Sequence, residues 1–264
     1  METNSVRAQA YIDEQAIHGR YHVPTDDVIA AVRGNVPAVR AQLRRLKQRG
    51  VIAEPVRGFL VIVPYEYRQL GCLPAEQFVP QLMARRNEPY YFGLLTAAQH
   101  YGAAHQRPQT TQVIVRKHRE AIECGKVRVE FIARGDLENM PVVDSNTPRG
   151  VARFSTPEVT ALELVGYPKH AGGLSNAATV LSELAEEIDG AKLIEAAKRS
   201  PISWSQRLGY LWELLEQFAL AEPLKPFVIE HARSYTPLRR AAGTAGHRVA
   251  PWKVIVNVEV EPDL

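Results

Sequence analysis

The stretch from Pro37 to Gly50, PAVRAQLRRLKQRG, constrains the fold more than any other part of the chain. Val39, Leu43 and Leu46 recur at i, i+4 and i+7, a narrow apolar stripe at helical spacing. Pro37 suits a first helical turn, where its missing N–H leaves no bond unmade, and Gly50 suits the end. On a helical wheel the opposite side carries Pro37, Ala41, Arg44, Arg45 and Gln48, flanked by Arg40 and Lys47. The stretch predicts a helix that buries one thin seam and turns a basic face outward.

Its neighbours narrow the choice of fold. Arg7 to Ala16 reads as a first helix, broken around Gly19. Thr25 with Asp26 and Asp27 reads as the capped, acidic start of a second, with Val28, Ile29 and Val32 facing inward. Gly34 ends that helix, leaving a short turn before the basic one. Downstream, VIAEPVRGFLVIVP gives a short strand at Val51 and Ile52, a turn from Pro55 to Gly58, and an apolar strand from Phe59 to Val63. Helix, helix, tight turn, basic helix and hairpin predict a winged helix-turn-helix over residues 1–66. In that arrangement the third helix enters the major groove and the hairpin lies over the phosphate backbone. The candidate DNA-binding residues are Arg40, Ala41, Arg44, Arg45, Lys47, Gln48, Arg57 and Gly58. Ala41 is small enough to let the helix sit deep, the basic side chains reach bases or phosphates, and Arg57 and Gly58 form the hairpin tip.

Charge distribution supports this reading. The chain is only +3 at neutral pH. From Arg33 to Arg57, however, it holds seven basic residues and one acid, Glu54, while the remainder holds 25 basic and 28 acidic. A basic module on a mildly acidic body fits one part meeting a polyanion and the other not. A run of basic residues on one helix is more often just a solvated face; the turn, Pro37 and the Gly58 hairpin reverse that balance.

YEYRQLGCLP (65–74) reads as a connection to a second, larger domain over residues 75–264. That domain mixes a short helix around Phe78, Leu82 and Met83, kinked or interrupted by Pro80, with a helix from Phe92 to Tyr101 and strands at Val113–Val115 and Val127–Ala133. Ser155-Thr156-Pro157-Glu158 reads as a capping box opening a helix that stops at Gly166. Helical spacing links Leu174 through Ile188 and Leu208 through Phe218. A long final strand is expected from Trp252 to Val260, with its even-numbered residues facing one way. The expected fold class is α+β throughout.

The sequence offers no catalytic constellation. His100 and His105 in HYGAAH fall on different sides of a helix and lack a third ligand, so no metal is expected. GxSxG, GxxxxGK[ST] and HExxH are absent. None of the eight lysines follows an acid by two residues, as the Glu-x-Lys of a restriction-type nuclease requires. Gly172, Gly173 and Ser175 before a helix are better explained as a turn and cap than as a phosphate cradle. Cys72 and Cys124, 52 positions apart in sequence, read as reduced bystanders rather than a disulfide. With no signal-peptide core and no apolar stretch of spanning length, a cytoplasmic protein is expected, with no cofactor and no membrane partner.

EPYYFGLLTAAQHYGAAHQRPQTTQVIV (88–115), PRGVARFSTPEVTALELVGYPKHAGGLSNAATVLSEL (148–184) and the terminal PWKVIVNVEVE resemble the AbiEi family of antitoxins from type IV toxin–antitoxin systems. The likeness spans nearly the whole chain, although its winged part is shared by many regulators. It implies a non-enzymatic antitoxin that represses its own promoter by binding inverted repeats. It also implies a body that counteracts a co-encoded nucleotidyltransferase-like toxin. By position, the DNA-reading helix falls on Pro37–Arg49 and the wing on Val51–Val63. Antitoxins of this family need not form a stable complex with the toxin, so direct contact stays open. Two alternatives remain at this point: a free-standing regulator whose body senses a ligand, and a DNA-targeted nuclease.

Overall fold

The computed structural model describes residues 7–32, 34–103 and 109–263. Arg33 and His105, both singled out above, lie outside them. The described chain is mixed α+β, with helices and three sheets. It divides into two compact units: residues 1–90, 109–133 and 144–153 form the first, and residues 91–108, 134–143 and 154–264 the second.

The first unit opens with helix α1 (Ala8–Ile17), strand β1 (His22–Pro24), helices α2 (Thr25–Val32) and α3 (Val36–Gln48), and strands β2 (Ile52–Val56) and β3 (Phe59–Ile62). This order is consistent with a winged helix-turn-helix. The strands form a sheet in the order β1-β3-β2, with β3 antiparallel to both neighbours. The apolar seam of α3 does what its spacing predicts: Val39, Leu43 and Leu46 are buried in one cluster with Ile12 of α1, Val28 and Val32 of α2, and Leu60 and Ile62 of β3.

Two details differ from expectation. His22–Pro24 forms a strand that sequence periodicity does not signal, because three residues are too few to show alternation; its register is set by β3, with His22 opposite Val61. β2 also continues through Pro55 to Val56, shortening the turn to Arg57 and Gly58, with a register shift between Ala53 and Val56. Pro55 is tolerated there because β2 is an edge strand of the three.

Further on, helix α4 (Val79–Arg86) is not interrupted by Pro80, which occupies its first turn. The strand Val127–Ala133 pairs in parallel with Thr111–Val115 and antiparallel with Ile122–Cys124.

The second unit is organised around the helix Pro157–Gly166, buried on nearly every side. It packs against the helices Leu94–His100, Leu174–Leu184, Gly190–Lys198 and Ile202–Leu214. Its N-cap is Thr156, whose hydroxyl accepts from Val159 N–H, so the reciprocal box expected between Ser155 and Glu158 does not form. Glu158 instead accepts from the Asp189 N–H at 3.0 Å.

The expected helix from Phe92 starts later. Tyr90–Phe92 is a strand, with Phe92 pairing to Phe154, and the helix is Leu94–His100, whose first residue, Leu94, has a left-handed φ of 53°. The Leu174 helix ends at Leu184, before Ile188. The next long helix stops at Leu214, so Phe218 begins a separate helix, Phe218–His231, that contains Pro223 and Pro226. The long terminal strand shrinks to Val254–Val256. Side chains take backbone groups around both of its ends. Gln206 donates to the carbonyls of Trp252 and Lys253, and Asn257 binds both the N–H and the carbonyl of Arg239. Beyond it, the N–H groups of Glu261 and Asp263 donate to the hydroxyls of Ser175 and Thr179. The alternating valines are a real pattern, but only Val254–Val256 pairs in a ladder, with Thr236–Pro237 and His247–Val249.

Candidate nucleic-acid interface

The basic side chains of α3 reach solvent because the helix buries only every third or fourth residue. Arg40, Arg44, Arg45, Lys47 and Gln48 are exposed and Ala41 is half-buried. Arg57 is exposed at the hairpin tip, and Gly58 is half-buried beside it with φ at 79°. That left-handed turn favours glycine, and open space around it means the requirement is conformational rather than steric.

The helix and hairpin are joined by one acid. The Glu54 carboxylate in β2 accepts from Lys47 Nζ of α3 through one oxygen and from the Gly58 N–H at 2.9 Å through the other. Partial burial works against ionising this carboxyl. The hydrogen bonds from Lys47 and Gly58 and the charges of Lys47 and Arg57 outweigh it and hold the carboxyl below the usual carboxylate range. Lys47 is therefore committed to an internal pair, unlike Arg40, Arg44, Arg45 and Arg57, none of which forms a salt bridge among the described residues.

Other contacts fix the rest of the scaffold, and sequence reading missed them. Gln42, on the flank of α3, accepts from the Ala8 N–H at the start of α1 at 2.9 Å. Arg68 donates to the carbonyl of Arg49, just past α3, at 3.1 Å and to that of Val63 at 2.9 Å. The Gly58 carbonyl accepts from the Thr25 N–H at 3.1 Å. Their only sequence signal is a polar residue beside an element boundary, which is too common to single out.

Next to the hairpin, a cavity of about 410 Å³ is lined in part by Arg20, His22, Asp27, Gln81 and Arg85. His22 stacks on Phe59 at a 6.0 Å centroid distance. Burial, then the nearby Arg20 and Arg85 charges, lower its pKa and keep it neutral.

The other motifs settle into structural roles. His100 stacks on Phe154 (4.0 Å, 6° between planes), and burial disfavours its charged form. In the Gly172–Ser175 turn, Asn176 donates to the Ala171 carbonyl and the Ser175 hydroxyl holds the C-terminal segment. Among the described residues no group of three His, Cys, Asp or Glu could hold a metal ion, and no helix is long and apolar enough to cross a membrane. The second unit does bury an ion pair that no motif foreshadows. Arg134 donates to Glu163 at 3.0 Å, to Asp136 at 2.9 Å and to Ser200, and its guanidinium lies over the Trp204 ring. Tyr91 donates to the same Glu163 oxygen at 2.5 Å; burial and the carboxylate charge push its phenol pKa up and keep it a donor.

Residues 91–214 match the model of the AbiEi antitoxin C-terminal domain, which supports an antitoxin function within a toxin–antitoxin system. Among solved structures, the chain is similar to the RV2827C protein from Mycobacterium tuberculosis, at 15% identity and a TM-score of 0.64, covering 96% of this chain and 94% of that one. At that identity the likeness concerns the fold. No protein of curated function matches the sequence.

Proposed function

We propose that this chain, whose residues 91–214 match the AbiEi antitoxin C-terminal domain, is a cytoplasmic, non-enzymatic antitoxin that also represses its own promoter. The first unit binds operator DNA, and the second counteracts a co-encoded toxin of the nucleotidyltransferase-like class. The observation that carries the DNA half is the fixed geometry of α3 and the hairpin. The exposed Arg40, Arg44 and Arg45 and the hairpin-tip Arg57 belong to two elements that Glu54 ties together. Such a pair of elements suits a major groove and its adjoining phosphates.

Two measurements test the two halves. The protein should bind a fragment of its own promoter more tightly than a shuffled fragment, and equal affinity for both refutes autorepression. Expressing the adjacent gene should arrest growth, and supplying this protein from a separate plasmid should restore it. Arrest without rescue refutes the antitoxin role for that pair.

A further inference from the structure

Cys72 and Cys124, 52 positions apart in sequence, meet inside the first unit. The meeting is set by backbone. Gly71 and Gly125, each next to one of the cysteines, approach so closely that a Cβ on Gly125 would overlap the Leu70 carbonyl oxygen, and one on Gly71 would stand 3.1 Å from the Gly125 Cα. The Lys126 N–H donates to the same Leu70 carbonyl at 2.7 Å, which locks the two turns together. Both glycines have positive φ, 72° and 60°, so the approach depends on their lacking side chains. Cys72 is fully buried and Cys124 half-buried, both thiols are free, and each acts on the other's ionisation, Cys72 being pushed up and Cys124 down.

We propose that Cys72 and Cys124 are a redox site, closing reversibly to an intramolecular disulfide when a hydroperoxide reaches Cys124. Cys124 is the attacking thiol. The hydrogen bond from Cys72 lowers its pKa, outweighing burial, and the Glu54 backbone adds a second bond, whereas Cys72 is held protonated. The Cys124 thiolate attacks the peroxide oxygen: an S–O bond forms, the O–O bond breaks, and the leaving alkoxide takes a proton to become an alcohol. Cys72 sulfur then attacks Cys124 sulfur; the S–S bond forms, the S–O bond breaks, and hydroxide leaves with the Cys72 proton as water. Two thiols are oxidised and one hydroperoxide is reduced. A dithiol reductant reverses the step.

The site lies behind the hairpin. The strand Ile122–Cys124 packs along β2, and the Cys124 sulfur accepts from the Glu54 N–H. Glu54 is the residue that ties Lys47 to Gly58. A disulfide sulfur is a poorer acceptor than a thiolate, so oxidation loosens Glu54 and with it the setting of α3 against the hairpin. This consequence rests on the DNA-binding reading above; the thiol chemistry does not.

The test treats the full chain with hydrogen peroxide, counts free thiols after denaturation and measures the intact mass. The wild type should lose both thiols and two hydrogens without forming a disulfide between chains, and dithiothreitol should restore both. Cys72→Ser should stop at a sulfenic acid trapped by dimedone, and Cys124→Ser should not react. Retention of both thiols, or a Cys124 sulfinic acid beside a free Cys72, overturns the proposal. Promoter affinity is then compared before and after oxidation, with a several-fold loss expected for the wild type and none for Cys124→Ser, which has no thiol to oxidise at that position. If the disulfide forms and affinity is unchanged, the coupling to the hairpin is refuted. If the reduced protein does not bind its promoter at all, the DNA-binding reading fails and the disulfide stands.

Discussion

Lys47 of α3 is ion-paired with Glu54 of β2, and the other oxygen of that carboxylate holds the Gly58 N–H at the hairpin turn. A positive charge that sequence assigns to DNA is thus spent on holding together the two elements that would meet DNA. Only one acid occurs between Arg33 and Arg57, and its position explains why it is there.

Replacing that acid tests the arrangement by stability. Glu54→Gln keeps an acceptor for Gly58 but loses the charge, and should cost about 1 kcal/mol at neutral pH. The Glu54 pKa is lower in the folded chain than in the unfolded one. Its contribution is therefore complete above the unfolded value and fades as pH falls through the folded value. Urea denaturation of both proteins should show a gap at pH 7 that narrows once the pH falls below the ordinary glutamate value of about 4.3 and closes only beneath the lower folded one. A gap that persists in acid would mean the charge is not its source.

Promoter binding should distinguish the arginines from the lysine. Arg44→Ala with Arg45→Ala should weaken binding and reduce the slope of log affinity against log salt by about 0.9 for every phosphate that is no longer neutralised. Lys47→Ala should leave that slope nearly unchanged, because Lys47 already faces Glu54. Fluorescence anisotropy at several salt concentrations reads both. Equal slope changes for Lys47 and the arginines would show that the ion pair opens on DNA.

The contrast between Lys47 and Arg44 marks where sequence reading stopped. The seam of α3 was legible because Val39, Leu43 and Leu46 obey a period that only burial explains, and the exposed face follows by subtraction. Pairing across elements follows no period. Glu54 enters the sequence only as the one acid of a basic segment, Gln42 carries no signal, and Cys72 and Cys124 read as bystanders, because a contact between distant positions leaves no local trace. The terminal valines show the opposite failure: the alternation is clear, but the Asn257 side chain takes the Arg239 N–H and carbonyl, and the ladder ends at Val256. Likewise, Arg134 and Glu163 are charged residues in sequence and core residues in the fold.

Gly209 tests the packing of the second unit. A Cβ there would run into the ring of the buried Trp252. Gly209→Ala should cost about 1–3 kcal/mol, the usual range for overpacking a core. Gly135→Ala is the control, since a Cβ at that position meets nothing within 4 Å. It should change stability by less than about 0.5 kcal/mol. Equal urea midpoints for the two variants would show that Trp252 yields without penalty.

The Arg134–Glu163 pair should behave as a unit whose halves cannot be removed separately. Both side chains are buried, so each charge has given up its water and depends on the other. Arg134→Met strands the Glu163 carboxylate in the core and should cost about 3–5 kcal/mol. Replacing both residues with methionine removes the stranded charge along with its partner and should cost markedly less, even though the bonds from Arg134 to Asp136 and Ser200 are absent from both variants. Urea midpoints of the two variants, set beside the wild type, decide the matter. A double variant as unstable as Arg134→Met would show that Arg134 acts through Asp136, Ser200 and Trp204, and that the charge on Glu163 is not what requires it.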